Sequence, residues 1–270
     1  MRTCTRAGVG RRAVGDTMLG CGRCRRCRGG HQHTCEAREE VGIRGGRAGA
    51  LAERLAVPVS SLHELPPGLS PELGALAEPG GNAIRAARAA VGARSGAPGE
   101  RSGARVLVLG PGTIGLLTAL FARAAGAEVH LAGTTPWSLE FARSLGFPAT
   151  AEGPAPPFDA VVDATNDPAA PARALELVEP AGRLVCIGLA GSPSPVDSRS
   201  LVFKDVTAVG ILSASPGLAG AIGAYTRGEV DPRPLVAATV GLDGVAAVLA
   251  GERPPGALAG PKILVDPRPG

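Results

Sequence analysis

Four of the six cysteines lie within fifteen residues and are spaced C-x2-C-x2-C-x7-C. Loops this short let four thiolates converge on one tetrahedral Zn²⁺, and four protein ligands leave no position open for a substrate. The spacing predicts a structural zinc site; four unrelated cysteines or an iron–sulfur cluster are the alternatives. His31 and His33 are surplus to such a site and are expected to face solvent. The predicted ligands are Cys21, Cys24, Cys27 and Cys35.

A glycine-rich turn forms the second group of candidate residues. It follows an apolar strand and opens a helical pattern. In G-x-G-x-x-G, the first glycine permits a tight turn, the second lets a pyrophosphate approach the backbone, and the third lets helix and strand pack closely. The helix start would present unpaired N–H groups to the phosphates. An ordinary glycine turn is the alternative, but the flanking elements stand at the spacing that a dinucleotide site needs. The turn comprises Gly110, Pro111, Gly112, Thr113, Ile114 and Gly115.

The end of the next strand distinguishes the two nicotinamide cofactors. An Asp or Glu about 20 residues after the motif would bind the adenosine ribose of NAD and repel the 2′-phosphate of NADP. Here Gly133, Thr134 and Thr135 follow Ala132, with no acid. Two hydroxyls and a small residue leave room for a phosphate and favour NADP, while NAD stays open because the nearest Arg, Arg143, lies two helical turns on. Thr135 could equally be a helix N-cap.

Alternating strand and helix patterns surround these residues. Apolar runs predict strands, and apolar residues at helical spacing predict the helices between them. This alternation predicts an α/β fold built on a doubly wound parallel sheet of Rossmann type. The predicted strands are Arg105–Leu109, Glu128–Ala132, Ala160–Val162, Leu184–Ile187, Val206–Ile211 and Lys262–Val265, and the predicted helices span 114–124, 136–145, 169–178 and 243–249.

Three regions of different texture define the predicted domains. Residues 1–75 are rich in Gly and Arg, show short strand-like alternation and carry the cysteine loop 21–35. Residues 76–225 hold the dinucleotide-binding pattern. Residues 226–270 contain a short helix and a closing strand, and are expected to return to pack on the first region.

Charge and composition exclude several classes of partner. The net charge of +4 is uneven, since residues 1–55 hold twelve Arg against five acids. A basic zinc lobe could bind nucleic acid, but the cysteine segment has no aromatic residue to stack on a base, so we expect no nucleic-acid partner. No apolar run is long enough to span a bilayer, and the first residues lack the apolar core of a signal peptide. Clustered cysteines without an export signal favour metal over disulfides and predict a cytoplasmic protein with no membrane partner.

The order of a four-cysteine lobe, a Glu-Pro pair and this glycine turn resembles the zinc-containing medium-chain dehydrogenases. The similarity is closest to the threonine and sorbitol dehydrogenase branch of this alcohol and polyol dehydrogenase family, and it runs through most of the chain. Further segments that carry it are Val14-Gly15-Asp16, Gly49–Glu53, Asp163-Ala164-Thr165, Ile187-Gly188-Leu189, Leu201–Lys204 and Lys262–Val265.

The resemblance implies a GroES-like β lobe and hydride transfer between NAD or NADP and a secondary alcohol or its ketone. In the family, a Cys, a His and a third ligand hold a second, catalytic zinc that polarises the substrate oxygen. Glu78 falls at the third ligand; a surface glutamate before a helix is the alternative. The resemblance also implies a homo-oligomer, dimer or tetramer, paired through the sheet edge at Val206–Ser213. The residues expected to line the nicotinamide are Ala164, Ile187, Gly188 and Leu189.

The chain departs from the family before the Val-Gly-Asp turn. Family members carry the catalytic Cys and a Gly-His-Glu segment there, whereas thirteen residues precede Val14 and no Gly-His-Glu occurs. Cys4 is the one unassigned thiol in that segment, and His63 and His130 fall on predicted strands. The chain is therefore expected to be N-terminally truncated with a partial β lobe. A dehydrogenase is predicted, and a family member that binds dinucleotide and one structural zinc without turnover is the alternative.

Overall fold

The computed structural model describes residues 9–92, 103–152 and 157–268. The chain divides into two compact units. The first, called here the lobe unit, comprises residues 1–81 and 213–270, and the second, the sheet unit, comprises residues 82–212. This division does not test the three domains expected from the sequence, so their bounds, 1–75, 76–225 and 226–270, stay a prediction.

Twelve strands lie within the described ranges. Most are short, and the two longest, β8 and β9, belong to the sheet unit. They are β1 (Ala13–Gly15), β2 (Met18–Leu19), β3 (Glu39–Glu40), β4 (Leu62–Glu64), β5 (Arg105–Leu109), β6 (Glu128–Ala132), β7 (Ala149–Thr150), β8 (Phe158–Asp163), β9 (Val178–Cys186), β10 (Thr207–Gly210), β11 (Val236–Val240) and β12 (Lys262–Val265).

Nine α-helices lie in the same ranges, and single turns of 3₁₀ helix occur at Gln32–Thr34, Val59–Ser61, Arg233–Leu235 and Leu242–Gly244. The α-helices are α1 (Arg25–Arg28), α2 (Pro71–Ala75), α3 (Ala77–Val91), α4 (Thr113–Ala124), α5 (Pro136–Ser144), α6 (Ala170–Leu177), α7 (Ser198–Phe203), α8 (Leu218–Thr226) and α9 (Val245–Leu249).

The sheet unit contains one parallel sheet of six strands in the order β10-β9-β8-β5-β6-β7. Counted from β5, this is the 3-2-1-4-5-6 order of the Rossmann fold, with β5 to β7 in one half and β8 to β10 in the other. The strand order reverses between β5 and β8, which pair directly. The carboxyl ends of these two strands therefore flank the crevice in which such folds bind their ligands. The predicted doubly wound α/β fold is confirmed.

Small aliphatic side chains fill the sheet core, as the scarcity of aromatic residues requires. Phe158 is the one large aromatic among the fully buried side chains of the described residues, and Leu107 and Val161 are equally inaccessible. Leu175 of α6 packs into the same cluster. Helices packed on the sheet in this way cover its apolar strands, which a parallel sheet needs because both its faces are buried.

The lobe unit is built from three two-stranded ribbons, consistent with part of a GroES-like lobe. β1 pairs antiparallel with β4, β2 antiparallel with β3, and β11 parallel with β12. The guanidinium of Arg12 ties the first ribbon to the following loop, since it donates to the carbonyls of Pro66, Pro67 and Leu69. The expected strand positions of His63, on β4 opposite Val14, and of His130, within β6, are confirmed.

None of the helices in the described residues combines the length and the apolar character that crossing a membrane requires.

Candidate functional site

The four predicted cysteine ligands converge in the lobe unit. Their sulfur atoms all lie within 4.8 Å of one another. The Sγ atoms of Cys24 and Cys35 are 3.8 Å apart, and those of Cys21 and Cys27 are 4.0 Å apart. Tetrahedral zinc with Zn–S bonds of about 2.3 Å separates its sulfurs by about 3.8 Å. The cluster therefore fits one Zn²⁺, whereas an iron–sulfur cluster spreads its thiolates over several metal atoms.

The backbone around the cysteines shapes this cluster. Cys24 caps α1, and its sulfur accepts the N–H of Cys27 at 3.4 Å. The N–H groups of Arg23 and Cys24 lower the pKa of Cys21 to about 6, and the N–H of Cys27 lowers the pKa of Cys24. Burial raises the pKa of Cys27 to about 12. A bound Zn²⁺ would hold all four as thiolates.

The two histidines of the cysteine loop have different surroundings. His31 is largely exposed, as expected, with its ring centroid 6.0 Å from that of His33. His33 is only 4% exposed, so the expectation that it faces solvent is wrong. It lies in the 3₁₀ turn directly before Cys35, which is also buried.

The glycine turn lies at the crevice between β5 and β8. Gly110 has φ +91°, a conformation that glycine adopts without strain, and its N–H donates to the carbonyl of Ala132 at 2.8 Å. A Cβ at Gly115 would overlap the carbonyl oxygen of Gly110, so the close packing of helix and strand requires glycine. A Cβ at Gly112, the N-cap of α4, would meet no protein atom within 4 Å. Open space lies beside the backbone where the motif places a pyrophosphate.

Thr113, Ile114 and Gly115 form the first turn of α4, directly after Gly112. An α-helix leaves the N–H groups of its first turn without intrahelical partners, and its dipole favours an anion there. The turn therefore offers the arrangement that a dinucleotide phosphate needs.

The end of β6 lies next to this turn. A Cβ at Gly133 would approach Pro111 to 2.6 Å, so the two segments touch. Thr134 is exposed, and no acid follows the strand. Thr135 is the N-cap of α5, because its Oγ1 accepts the N–H of Ser138 at 3.3 Å. The guanidinium of Arg143 is bound to the carbonyl of Ala149, at 2.7 Å from Nη2.

The predicted nicotinamide loops follow β8 and β9 at the same edge of the sheet. The N–H of Ala164 donates to Leu109 at 3.0 Å, and those of Ile187 and Gly188 donate to the carbonyl of Asp163 at 2.9 Å. Leu189 is 82% exposed beyond them. All the predicted dinucleotide residues thus belong to the carboxyl ends of neighbouring strands in one sheet. Their contact with a dinucleotide stays a prediction.

Glu78 lies in the first turn of α3, in the lobe unit. Its Oε1 accepts the hydroxyl of Thr17 at 3.2 Å. Across residues 9–92, 103–152 and 157–268, the four-cysteine cluster is the one group of three or more side chains placed to share an ion, and it does not include Glu78. The described residues therefore do not fit a catalytic zinc. Cys4 lies outside them, and the role of Glu78 stays a prediction.

Sequence reasoning missed two contacts near these sites. The hydrogen bond from the hydroxyl of Thr17 to Glu78 joins residues far apart in sequence, so no local pattern predicts it. The bond between Asp163 and Thr165 does have a local signal, because an Asp side chain commonly binds the backbone N–H two residues on. The side chain of Asp163 does bind the N–H and hydroxyl of Thr165.

The sheet unit has the fold of the Rossmann-type dinucleotide-binding proteins, and the lobe unit carries a cluster of thiolates. Two family models match the chain: "Alcohol dehydrogenase GroES-like domain" over residues 2–67 and "Zinc-binding dehydrogenase" over residues 113–222. L-Threonine 3-dehydrogenase of Colwellia psychrerythraea is 30% identical over 217 residues, which are 75% of this chain and 60% of the relative. The L-threonine 3-dehydrogenase of Photorhabdus laumondii matches equally, at 30% over the same shares.

Solved structures give the same result. A protein of Sinorhizobium meliloti 1021 assigned to the zinc-binding dehydrogenases, with NADP bound, has a TM-score of 0.81 and 26% identity, covering 96% of this chain and 77% of that one. An alcohol dehydrogenase of Thermus sp. ATN1 has a TM-score of 0.78 and 28% identity, covering 88% and 74%. This chain belongs to the zinc-containing medium-chain dehydrogenase family. It spans about 60% of the length of the curated relatives that it matches.

Proposed function

We propose that the chain is an NAD(P)-linked oxidoreductase that transfers hydride between a nicotinamide cofactor and a secondary alcohol or its ketone. The observation that carries this proposal is the Gly110–Gly115 turn at the crevice of a Rossmann sheet, with open space beside Gly112. The relatives support the substrate class, since L-threonine, for which they are named, carries a secondary hydroxyl.

The protein's own residues hold the cofactor in this proposal. The N–H groups at the start of α4 bind the pyrophosphate, and Gly112 gives it room. The adenosine half extends past the end of β6, where Thr134 and the absence of an acid favour NADP over NAD. The NADP in the similar Sinorhizobium meliloti structure supports this preference. The nicotinamide half extends towards Ala164 and the loop of Ile187, Gly188 and Leu189.

Zinc has a structural role in this proposal. Bound by the four cysteines, it supplies a cross-link that fixes the 21–35 loop and has no position for a substrate. No reaction step is assigned to a second zinc, because the described residues place no two further ligands beside Glu78. That observation favours a second candidate function, a family member that binds dinucleotide and one zinc without turnover.

The proposal includes a homo-oligomer that forms through the edge of the sheet. β10 is the outermost strand and pairs with β9 on one side only. In α7, which precedes this strand in the sequence, Val202 and Phe203 are 77% and 85% exposed. An open strand edge with apolar neighbours is a ready site for pairing with a second copy. A dimer or tetramer, a small-molecule substrate and a cytoplasmic location complete the proposal.

Cofactor binding and turnover are tested separately. Fluorescence titration of NADPH and NADH with the purified protein measures binding, and loss of reduced-nicotinamide absorbance with a panel of small ketones measures hydride transfer. We expect NADPH to bind more tightly than NADH, and to be oxidised by at least one ketone. Binding without oxidation supports the second candidate, and absence of binding to either cofactor contradicts both. Gly112→Ala is the matched control, since its methyl group would fill the phosphate space.

A further inference from the structure

Asp163, the last residue of β8, is a buried acid at the crevice, only 3% exposed. Its Oδ1 accepts hydrogen bonds from the backbone N–H of Thr165 at 2.9 Å and from the hydroxyl of Thr165 at 2.8 Å. A carboxyl group removed from water is costly unless it is hydrogen-bonded, and unmaking such a bond leaves that cost uncompensated. The two bonds therefore hold Thr165 in one position.

Thr165 in turn touches the glycine turn after β5. A Cβ at Gly110 would lie 3.0 Å from the Cγ2 of Thr165 and 3.0 Å from the carbonyl oxygen of Ala164. The methyl group of Thr165 thus packs directly against the backbone that begins the dinucleotide motif. A shift of Thr165 would move or loosen that backbone.

Thr165 also touches the loop after β9. A Cβ at Gly188 would overlap the carbonyl oxygen of Thr165 and lie 2.7 Å from its nitrogen. The N–H groups of Ile187 and Gly188 are in addition bound to the carbonyl of Asp163. Asp163 and Thr165 therefore join the ends of three neighbouring strands, β5, β8 and β9, and set the distance between the glycine turn and the Gly188 loop.

We propose that Asp163 and Thr165 are positioning residues for the nicotinamide half of the dinucleotide, an inference that rests on the proposed function. In a Rossmann sheet the two halves of the ligand lie on opposite sides of the strand-order reversal. The adenosine half lies on the β6 side, away from Thr165. The other half lies on the side of β8 and β9, between the two segments that Thr165 spaces. The pair acts through Gly110 and Gly188.

The test compares Thr165→Val with Thr165→Ser in the full chain. Valine keeps the methyl group against Gly110 but removes the hydroxyl that binds Asp163, whereas serine keeps that hydroxyl. Two probes are titrated: NADPH, which has both halves, and adenosine 2′,5′-bisphosphate, which has the adenosine half alone. Thermal unfolding and far-UV circular dichroism measure the folded fraction. Thr165→Ala provides a second hydroxyl-free variant if the valine protein does not fold.

We expect Thr165→Val to raise the Kd of NADPH about three- to tenfold, the equivalent of one neutral hydrogen bond. The Kd of the bisphosphate stays within about twofold of wild type, and Thr165→Ser binds both probes like wild type. Unchanged NADPH binding by the hydroxyl-free variants overturns the inference while leaving the proposed function in place. Equal weakening of both probes shows a merely structural role and also overturns it. If the wild-type protein binds neither probe, the proposed function fails, and the inference fails with it.

Discussion

Replacing Gly112 and Gly115 by alanine, one at a time, separates binding from folding at the glycine turn. The two residues belong to the same motif and receive the same methyl group. At Gly112, φ is −84° and ψ is −172°, an extended conformation that alanine adopts, and the added Cβ would meet no protein atom within 4 Å. At Gly115 the added Cβ would overlap the carbonyl oxygen of Gly110 and lie 3.3 Å from Cγ1 of Val108.

These different surroundings predict different effects of the two substitutions on stability. For Gly112→Ala, a weaker N-cap costs a few tenths of a kcal/mol or more, and reduced freedom of the unfolded chain offsets about 0.4–1 kcal/mol, so stability changes by less than about 1 kcal/mol. The methyl group nevertheless occupies the phosphate space, and overpacking of about 1–3 kcal/mol corresponds to about a 5- to 150-fold loss of NADPH affinity. Gly115→Ala overpacks the folded protein itself and destabilises it by at least about 1–3 kcal/mol.

The assay pairs fluorescence titration of NADPH with thermal unfolding of the unliganded protein. We expect Gly112→Ala to unfold within about 3 °C of wild type and to bind NADPH weakly, and Gly115→Ala to unfold several degrees lower. If Gly112→Ala binds NADPH like wild type, the space beside Gly112 does not hold the pyrophosphate. If its stability falls as far as that of Gly115→Ala, the reasoning from the open space is refuted.

Three further predictions concern other residues. Lys204→Met should lower the free energy of unfolding by about 1–3 kcal/mol in denaturant titrations, because Nζ donates to three carbonyls at and after the end of α6, at 2.8, 2.8 and 3.0 Å. Lys262→Met, at the only other lysine, is the control, and an equal loss of stability in both variants would contradict this account. Thr134→Asp should raise the Kd of NADPH at least about tenfold and leave that of NADH unchanged, because a carboxylate after β6 repels a 2′-phosphate. Thr134→Asn, which has the shape of Asp without its charge, should leave the Kd of NADPH unchanged. An equal loss of affinity for both cofactors would place the adenosine elsewhere. Cys35→Ser should release zinc to a chelator at least about tenfold faster, since it removes the most buried of the four ligands. Cys186→Ser, outside the cluster, should release zinc at the wild-type rate. An unchanged rate in Cys35→Ser would exclude this residue as a ligand.

The elements around the glycine turn could be predicted from the sequence because their signals are local. β5, β6 and β12 begin and end at the predicted residues, and α4 begins one residue early. Each of them is a short apolar or helical pattern bounded by Gly or Pro. Longer-range effects moved other bounds. β8 extends the predicted strand Ala160–Val162 at both ends, and β9 begins six residues before the predicted Leu184–Ile187 and ends one residue short of it, since pairing within the sheet recruits less apolar flanking residues.

The start of α3 at Ala77 could not be predicted, for a physical reason that the structure shows. Its start, Glu-Pro-Gly-Gly, has the composition of a turn. In the structure, a Cβ at Gly80 would overlap the hydroxyl of Tyr225, and one at Gly81 would lie 2.9 Å from the Cβ of Ala214. These glycines allow close packing against residues more than a hundred positions away. Tertiary packing therefore overrides a local helix propensity that is poor.

The candidate site likewise combines features that have a local sequence signal with features that have none. The cysteine spacing and the glycine motif are local and could be recognised. The burial of His33 and the joining of three strand ends at Thr165 depend on contacts between distant segments, and composition carries no sign of them. The sequence itself lacks the Gly-His-Glu segment of the family, and the structure adds that no other described residues form a metal cluster with Glu78.

Native mass spectrometry of the desalted protein with one equivalent of NADPH tests the central claim, a structural zinc joined to a dinucleotide site, most directly. The account predicts a complex with one zinc and one NADPH per chain, and loss of the NADPH, but not of the zinc, in Gly112→Ala. A chain that carries no NADPH under conditions that keep its zinc would contradict the dinucleotide site. A second zinc on every chain would contradict the conclusion that the four cysteines form its one metal cluster among the described residues.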